Sequence, residues 1–280
     1  IHKASFGDGA GWLIDGGELM SRGGSALLRV VLVLLAISLL PIVPLIGTLV
    51  LMLISPALTA GMLNVFRAVQ QGSSPGIETV LVGLRDARHR GPLLMLGVVL
   101  IVGFFVAFGA LAAWVAPQMD MQALSEFGND PEMMNENPEQ LFALFQGVNV
   151  LGGLAIALLV MALVLGGLYF AVPLVFFWNW PVFTALLWSL RAMLINWLAF
   201  LGFGLVIVGV FLLAGITFAI ISGILGLALG NAGAFIVQLF LMAFSLFVQL
   251  LVAAAQWRCF VQVFPAGGNS NDEADDTLAL

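Results

Sequence analysis

Six stretches of this chain, each long enough for about twenty apolar residues, are almost free of charge: 25–43, 45–65, 92–115, 148–172, 197–223 and 233–255. Coiled into a helix, such a stretch satisfies every backbone hydrogen bond internally and crosses the hydrocarbon core of a bilayer. Only 9% of the residues are charged, against about 25% in a soluble domain. Too few charges remain to solvate a water-facing surface. The sequence therefore predicts an all-α, polytopic transmembrane bundle of about six helices, forming a single transmembrane domain over 1–265. The acidic, polar segment 266–280 is expected to be a disordered tail.

The first hairpin is the hardest to divide. Leu27 to Val65 is nearly unbroken, with Pro41, Pro44 and Gly47 as the only interruptions. Prolines three apart remove helical donors and favour a tight turn there. The first helix is then short for a full crossing. Because no cleavage site follows its apolar run, it is expected to act as the insertion signal itself.

Basic residues set the expected orientation. Lys3, Arg22 and Arg29 belong to the first helix or its approach; Arg67, Arg85, Arg88 and Arg90 lie between the second and third spans; Arg191 precedes the fifth and Arg258 follows the sixth. Threading six spans places all nine Lys and Arg on one side. The connection 116–147 on the other side has six acids and no Lys or Arg. The chain is accordingly expected N-in and C-in, in a bacterial inner membrane.

A repeat runs through this pattern. Three times an amphipathic stretch leads into an odd-numbered span: at 12–22, from Ser74-Pro75 onward, and at 181–196. The first puts Trp12, Gly16, Leu19 and Met20 on one face; the second puts Ile77, Val80, Leu81 and Leu84 there, with Ser74-Pro75 as its N-cap and first residue. Leu84-Arg85 aligns with Leu190-Arg191, and Leu100–Gly103 with Val206–Gly209. Such helices lie in the headgroup plane, so three units of interfacial helix plus transmembrane hairpin are expected. Arg22, Arg85, Arg88, Arg90, Arg191 and Arg258 would face membrane lipid. Chance likeness among Leu/Val-rich helices is the alternative.

Four features together carry a family resemblance: the Gly11-Trp12 opening, the Met20-Ser21-Arg22 run, the small-residue set Pro56-Ala57-Leu58 with Ala60-Gly61, and the Arg258 to Phe264 run closed by Pro265. In these the chain resembles a family of uncharacterised six-helix inner-membrane proteins of Gram-negative bacteria. It departs from the family's Arg-Asn-Pro-like junction, having Arg22-Gly23-Gly24 instead. The resemblance implies a fold and a membrane, and no activity.

Chemistry is sparse. No Asp, Glu, Lys or His falls mid-span, which argues against proton-coupled transport and intramembrane haem. The net charge of −6 offers no basic surface for nucleic acid. Lone Cys259 reads as a small apolar filler. In the 116–147 connection, Met119, Met121, Met133 and Met134 beside the acids could hold Cu(I), but a solvated cap with a short helix beginning at Asn137-Pro138 is the leading reading. No phosphate loop, HExxH pair or nucleophile set is present, so neither an enzyme nor a cofactor is expected.

The sixth span carries the one organised polar feature. Gln238, Ser245, Gln249 and Gln256 recur at spacings of 7, 4 and 7, which place all four within about 20° of the direction of Gln238 on a helix. The stripe is expected to face the protein interior or a partner, either fixing helix packing or lining a polar route. Gly215, Ala219 and Gly223 form a small-residue row suited to helix packing. The leading functional reading is a non-enzymatic accessory or scaffold subunit bound to another integral membrane protein or to itself. The alternative is a permease or lipid-handling protein using the stripe.

The orientation is checked by fusions after Leu280. A fluorescent-protein fusion is expected to fluoresce and an alkaline-phosphatase fusion to stay inactive; the reverse pattern would overturn N-in/C-in.

Overall fold

A computed structural model describes residues 1–119 and 147–265 of the chain. The helix expected at Asn137 and the 266–280 tail lie outside the described residues. Among these, all regular structure is helical: α1 (Phe6–Ile37), a 3-10 turn (Leu40–Ile42), α2 (Ile46–Gln70), α3 (Ile77–Val80), α4 (Val82–Arg85), α5 (Ala87–Val115), a second 3-10 turn (Ala116–Gln118), α6 (Val150–Trp178), α7 (Val182–Ile195), α8 (Trp197–Leu229) and α9 (Asn231–Val263). Six of them, α1, α2, α5, α6, α8 and α9, are long and apolar enough to cross a membrane. The protein is an all-α integral membrane bundle.

Gly24 divides α1 into two rods. Its φ of 46° and ψ of −133° lie outside helical space, in a region that costs a residue with a Cβ dearly. The rod before it, amphipathic in sequence, buries Trp12, Leu13 and Leu19 against α8 and α9. The rod after it, Ser25 to Ile37, rises only about 20 Å, short of a roughly 30 Å hydrocarbon core. The 3-10 turn at Leu40–Ile42 then reverses the chain at Pro41 and Pro44.

The second amphipathic stretch departs from its sequence reading. The cap is Gly76 rather than Ser74-Pro75: the Gly76 N–H donates to Thr79 Oγ1 at 3.2 Å. The helix breaks into two single turns, α3 and α4, meeting at Leu81. Both turns sit on α2, and that contact decides their path. The Val80 carbonyl lies where a Cβ on Gly61 would be, and the Ala57 carbonyl where one on Gly83 would be. Backbone-to-backbone approach this close overrides local helix propensity. It also gives the small residues of the Pro56–Gly61 run their purpose. The third stretch, α7, is a single helix beginning after Pro181, as its sequence suggests.

The chain divides into two compact units, Val98–Gly166 and the remainder. In the smaller unit the outer parts of α5 and α6 come together at Gly103, against the Val164 side chain. Its end is tied by Trp114 Nε1 donating to the Asn149 carbonyl at 3.0 Å and by the Asn149 N–H donating to Gln118 Oε1 at 2.9 Å. The larger unit holds all nine Lys and Arg residues. In it α1 packs on α8 and α9, and α9 on α2. The His2 N–H donates to the Val263 carbonyl at 2.8 Å, joining the start of the chain to the end of α9.

Gly61→Ala would place a Cβ 1.7 Å from the Val80 carbonyl oxygen. It is expected to cost about 1–3 kcal/mol, seen as a lower unfolding midpoint in detergent. Gly91→Ala, with open space around its Cβ, is expected to leave the midpoint unchanged or raise it.

Candidate functional site

The polar stripe of α9 does not act as one surface. Gln256 is buried, and its Nε2 donates to the Tyr169 carbonyl of α6 at 2.7 Å. That carbonyl has a specific need. Its intrahelical donor would be residue 173, which is a proline with no N–H. Gln256 therefore fills a vacancy that Pro173 creates within a transmembrane helix. The same device recurs in α2, where Pro56 leaves the Met52 carbonyl without a partner and the Ser55 hydroxyl donates to it at 2.9 Å. For Gln256 the packing reading holds.

The remaining members face outward. Gln238, Ser245 and Gln249 are exposed, and none has a hydrogen-bond partner among the described residues. Ser245 borders a largely apolar groove of about 590 Å³ between α8 and α9, with Ser222, Gly215, Phe218 and Phe244 on its walls. Phe244 bridges the two helices, with ring centroids 5.5 Å from Phe218 and 6.1 Å from Phe211. The small-residue row does not pack against another helix here. A Cβ on Gly215 or Gly223 would meet nothing within 4 Å. Small residues and unpaired amides thus lie together on the open surface of the α8–α9 hairpin.

The arginines also divide. Arg258 pairs with Asp15 at 3.0 Å, linking α9 to α1. Arg22 reaches Glu18 one turn away at 3.9 Å, with both side chains exposed. Arg191 stacks 5.2 Å over the Trp188 ring. Arg85, Arg88 and Arg90 are exposed and, among the described residues, make no ion pair. Arg29 sits inside α1, not at its end, and reaches Ser74 Oγ at 3.1 Å.

A second set of contacts was not signalled by the sequence. Trp12 Nε1 donates to Gln262 Oε1 at 2.6 Å, and Trp257 Nε1 donates to Gln70 Oε1. Buried Asn196 accepts the Ala4 N–H at 2.6 Å and donates to the Ala192 carbonyl at 3.0 Å. The two ring nitrogens of His89 face Asp86 Oδ2 at 2.7 Å and Asn179 Oδ1 at 2.9 Å. The Arg88 backbone N–H and then the His89 ring hold the exposed Asp86 carboxyl below its usual range. Asn179, at φ 57°, tolerates the left-handed turn that ends α6.

The Trp257–Gln70 bond borders a cleft of about 430 Å³ where α2, α6 and α9 end, with Arg67, Gln70 and Gln71 on one side and Phe177, Trp257 and Phe264 on the other. Arg67 entered the sequence analysis only as an orienting charge. Phe177 and Trp178, from the end of α6, share the opposite wall with Trp257 and Phe260 of α9 and Phe264 at its cap. Nothing in the spacing of these segments signals that they meet.

No family model, no curated protein and no solved structure matches this chain.

Gln256→Leu is expected to cost about 1–3 kcal/mol, because it strands a buried carbonyl. In Pro173→Ala the restored N–H supplies the missing donor, so adding Gln256→Leu should cost markedly less. A double-mutant cycle of unfolding in detergent reads the difference; strict additivity would refute this role for Gln256.

Proposed function

We propose that this chain is a non-enzymatic accessory or scaffold subunit, seated N-in and C-in in a bacterial inner membrane. Its α8–α9 face receives a membrane-spanning helix of another integral membrane protein. The observation that carries this reading is the pair Gln238 and Gln249, exposed on a transmembrane helix and without partners among the described residues. They lie about 16 Å apart along the axis, so both fall within the expected span. An amide facing lipid chains forgoes its hydrogen bonds, whereas one facing a partner helix regains about 0.6–2 kcal/mol.

The small row strengthens the argument. Gly215, Ala219 and Gly223 are exposed, and without bulky side chains they permit close backbone approach. Dispersion and interhelical hydrogen bonds, the forces that join helices in lipid, both improve with proximity. The partner helix should therefore offer small residues of its own and hydrogen-bonding side chains at two matching depths. Membership of the six-helix family that the chain resembles belongs to the same proposal.

The permease alternative needs the stripe to line one route. Gln256 is committed to Tyr169 while Gln238 and Gln249 point outward, which favours the subunit reading over it.

Purification in mild detergent is expected to retain a second membrane protein, and Gln238→Leu with Gln249→Leu to release it at unchanged abundance. A pure chain of doubled mass would identify the occupant as a second copy. A monodisperse monomer with nothing bound would rule out the subunit reading.

A further inference from the structure

The cleft at Arg67 is built unlike the rest of the surface. Arg67, Gln70 and Gln71 stand on one face of the last turn of α2, three and four residues apart. The guanidinium lies 5.2 Å over the Phe177 ring, a cation–π contact that holds it at the cleft. No carboxylate lies within ion-pair distance of it among the described residues. Gln70 is oriented too: its Oε1 accepts from Trp257 Nε1, leaving its NH2 group as a donor. A held guanidinium edge and a held amide therefore present hydrogen-bond donors to one volume of about 430 Å³. Unpaired donors around a full positive charge suit an oxyanion, and the planar fork of arginine suits a phosphate.

The opposite wall adds a second requirement. Phe177, Trp178, Trp257, Phe260 and Phe264 form a continuous ring cluster, with centroid separations from 5.2 Å to 6.1 Å. Such a wall suits the glycerol and first methylenes of a lipid, not a bare hydrated ion. Depth agrees, since Arg67 lies two residues beyond the expected end of the second span. The negative end of the α2 dipole opposes an anion by about half an elementary charge, less than the full charge that Arg67 supplies.

We propose that this cleft binds a phosphate ester through Arg67, Gln70 and Gln71, in the form of a phospholipid headgroup whose glycerol end rests on the aromatic wall. It is a ligand site separate from the α8–α9 face, and it stands whether or not that face binds a partner.

The test is native mass spectrometry of the full chain, delipidated in detergent and titrated with phosphatidylglycerol, with diacylglycerol of the same chains, and with inorganic phosphate. Phosphatidylglycerol is expected to bind about tenfold or more tightly than diacylglycerol. Arg67→Gln should erase that difference, and so should Gln71→Glu, which sets an anion at the mouth of the cleft. Arg191→Gln, outside the cleft, should preserve it, and matched unfolding midpoints show that each variant is folded. Displacement of the lipid by inorganic phosphate at millimolar concentration would support the phosphate site while assigning it to a soluble ester. Equal binding of both lipids by the wild type, or phosphatidylglycerol binding untouched in both cleft variants, would overturn it.

Discussion

A backbone carbonyl surrounded by hydrocarbon has no water to fall back on, and the architecture of this protein follows from that constraint. Helices meet it almost everywhere. Where a proline breaks the pattern, a side chain must intervene, as Gln256 does for Tyr169 and Ser55 does for Met52. The first bond ties α9 to α6 across eighty-seven positions of sequence, so a local defect in one helix becomes a fixed point for another. Polar side chains in the spans are therefore not equivalent. Some repair backbone, and those that repair nothing stand out by contrast.

The spans and the all-helical class were legible because lipid exposure demands long apolar runs, and few other folds tolerate them. The break at Gly24 falls between two stretches that the sequence already separated, 12–22 and 25–43. The start of α3 was misread because Ser74-Pro75 is a good local cap, while the true constraint, the Val80 carbonyl seated on Gly61, is a contact between distant segments. The periodicity of α9 put four residues in one group, which the structure divides into a buried Gln256 and three exposed members. That Gln256 answers Pro173 requires knowing that the two helices adjoin at that level.

Arg67 shows the same limit from the other side. Counting basic residues treats every arginine alike. Arg258 is paired with Asp15 and Arg191 rests on Trp188, whereas Arg67 alone borders the aromatic cleft. The cleft draws on three helix ends brought together by the fold, and its chemistry is absent from each of them singly. The α8–α9 face differs in that its glutamines and small residues already stood out in the sequence; the fold adds that they are left exposed.

The pairing of Trp12 with Gln262 spans 250 positions, and the rod that carries Trp12 rests on α8 and α9, which are synthesised long after it. At about 5–20 residues per second, that rod waits on the order of 10–50 s for its seat. Until α8 and α9 arrive, its apolar face has only the bilayer surface or an insertion factor to shelter it. Premature termination anywhere before α9 would thus leave this rod unanchored as well, so that a truncated product exposes an apolar face far upstream of the break.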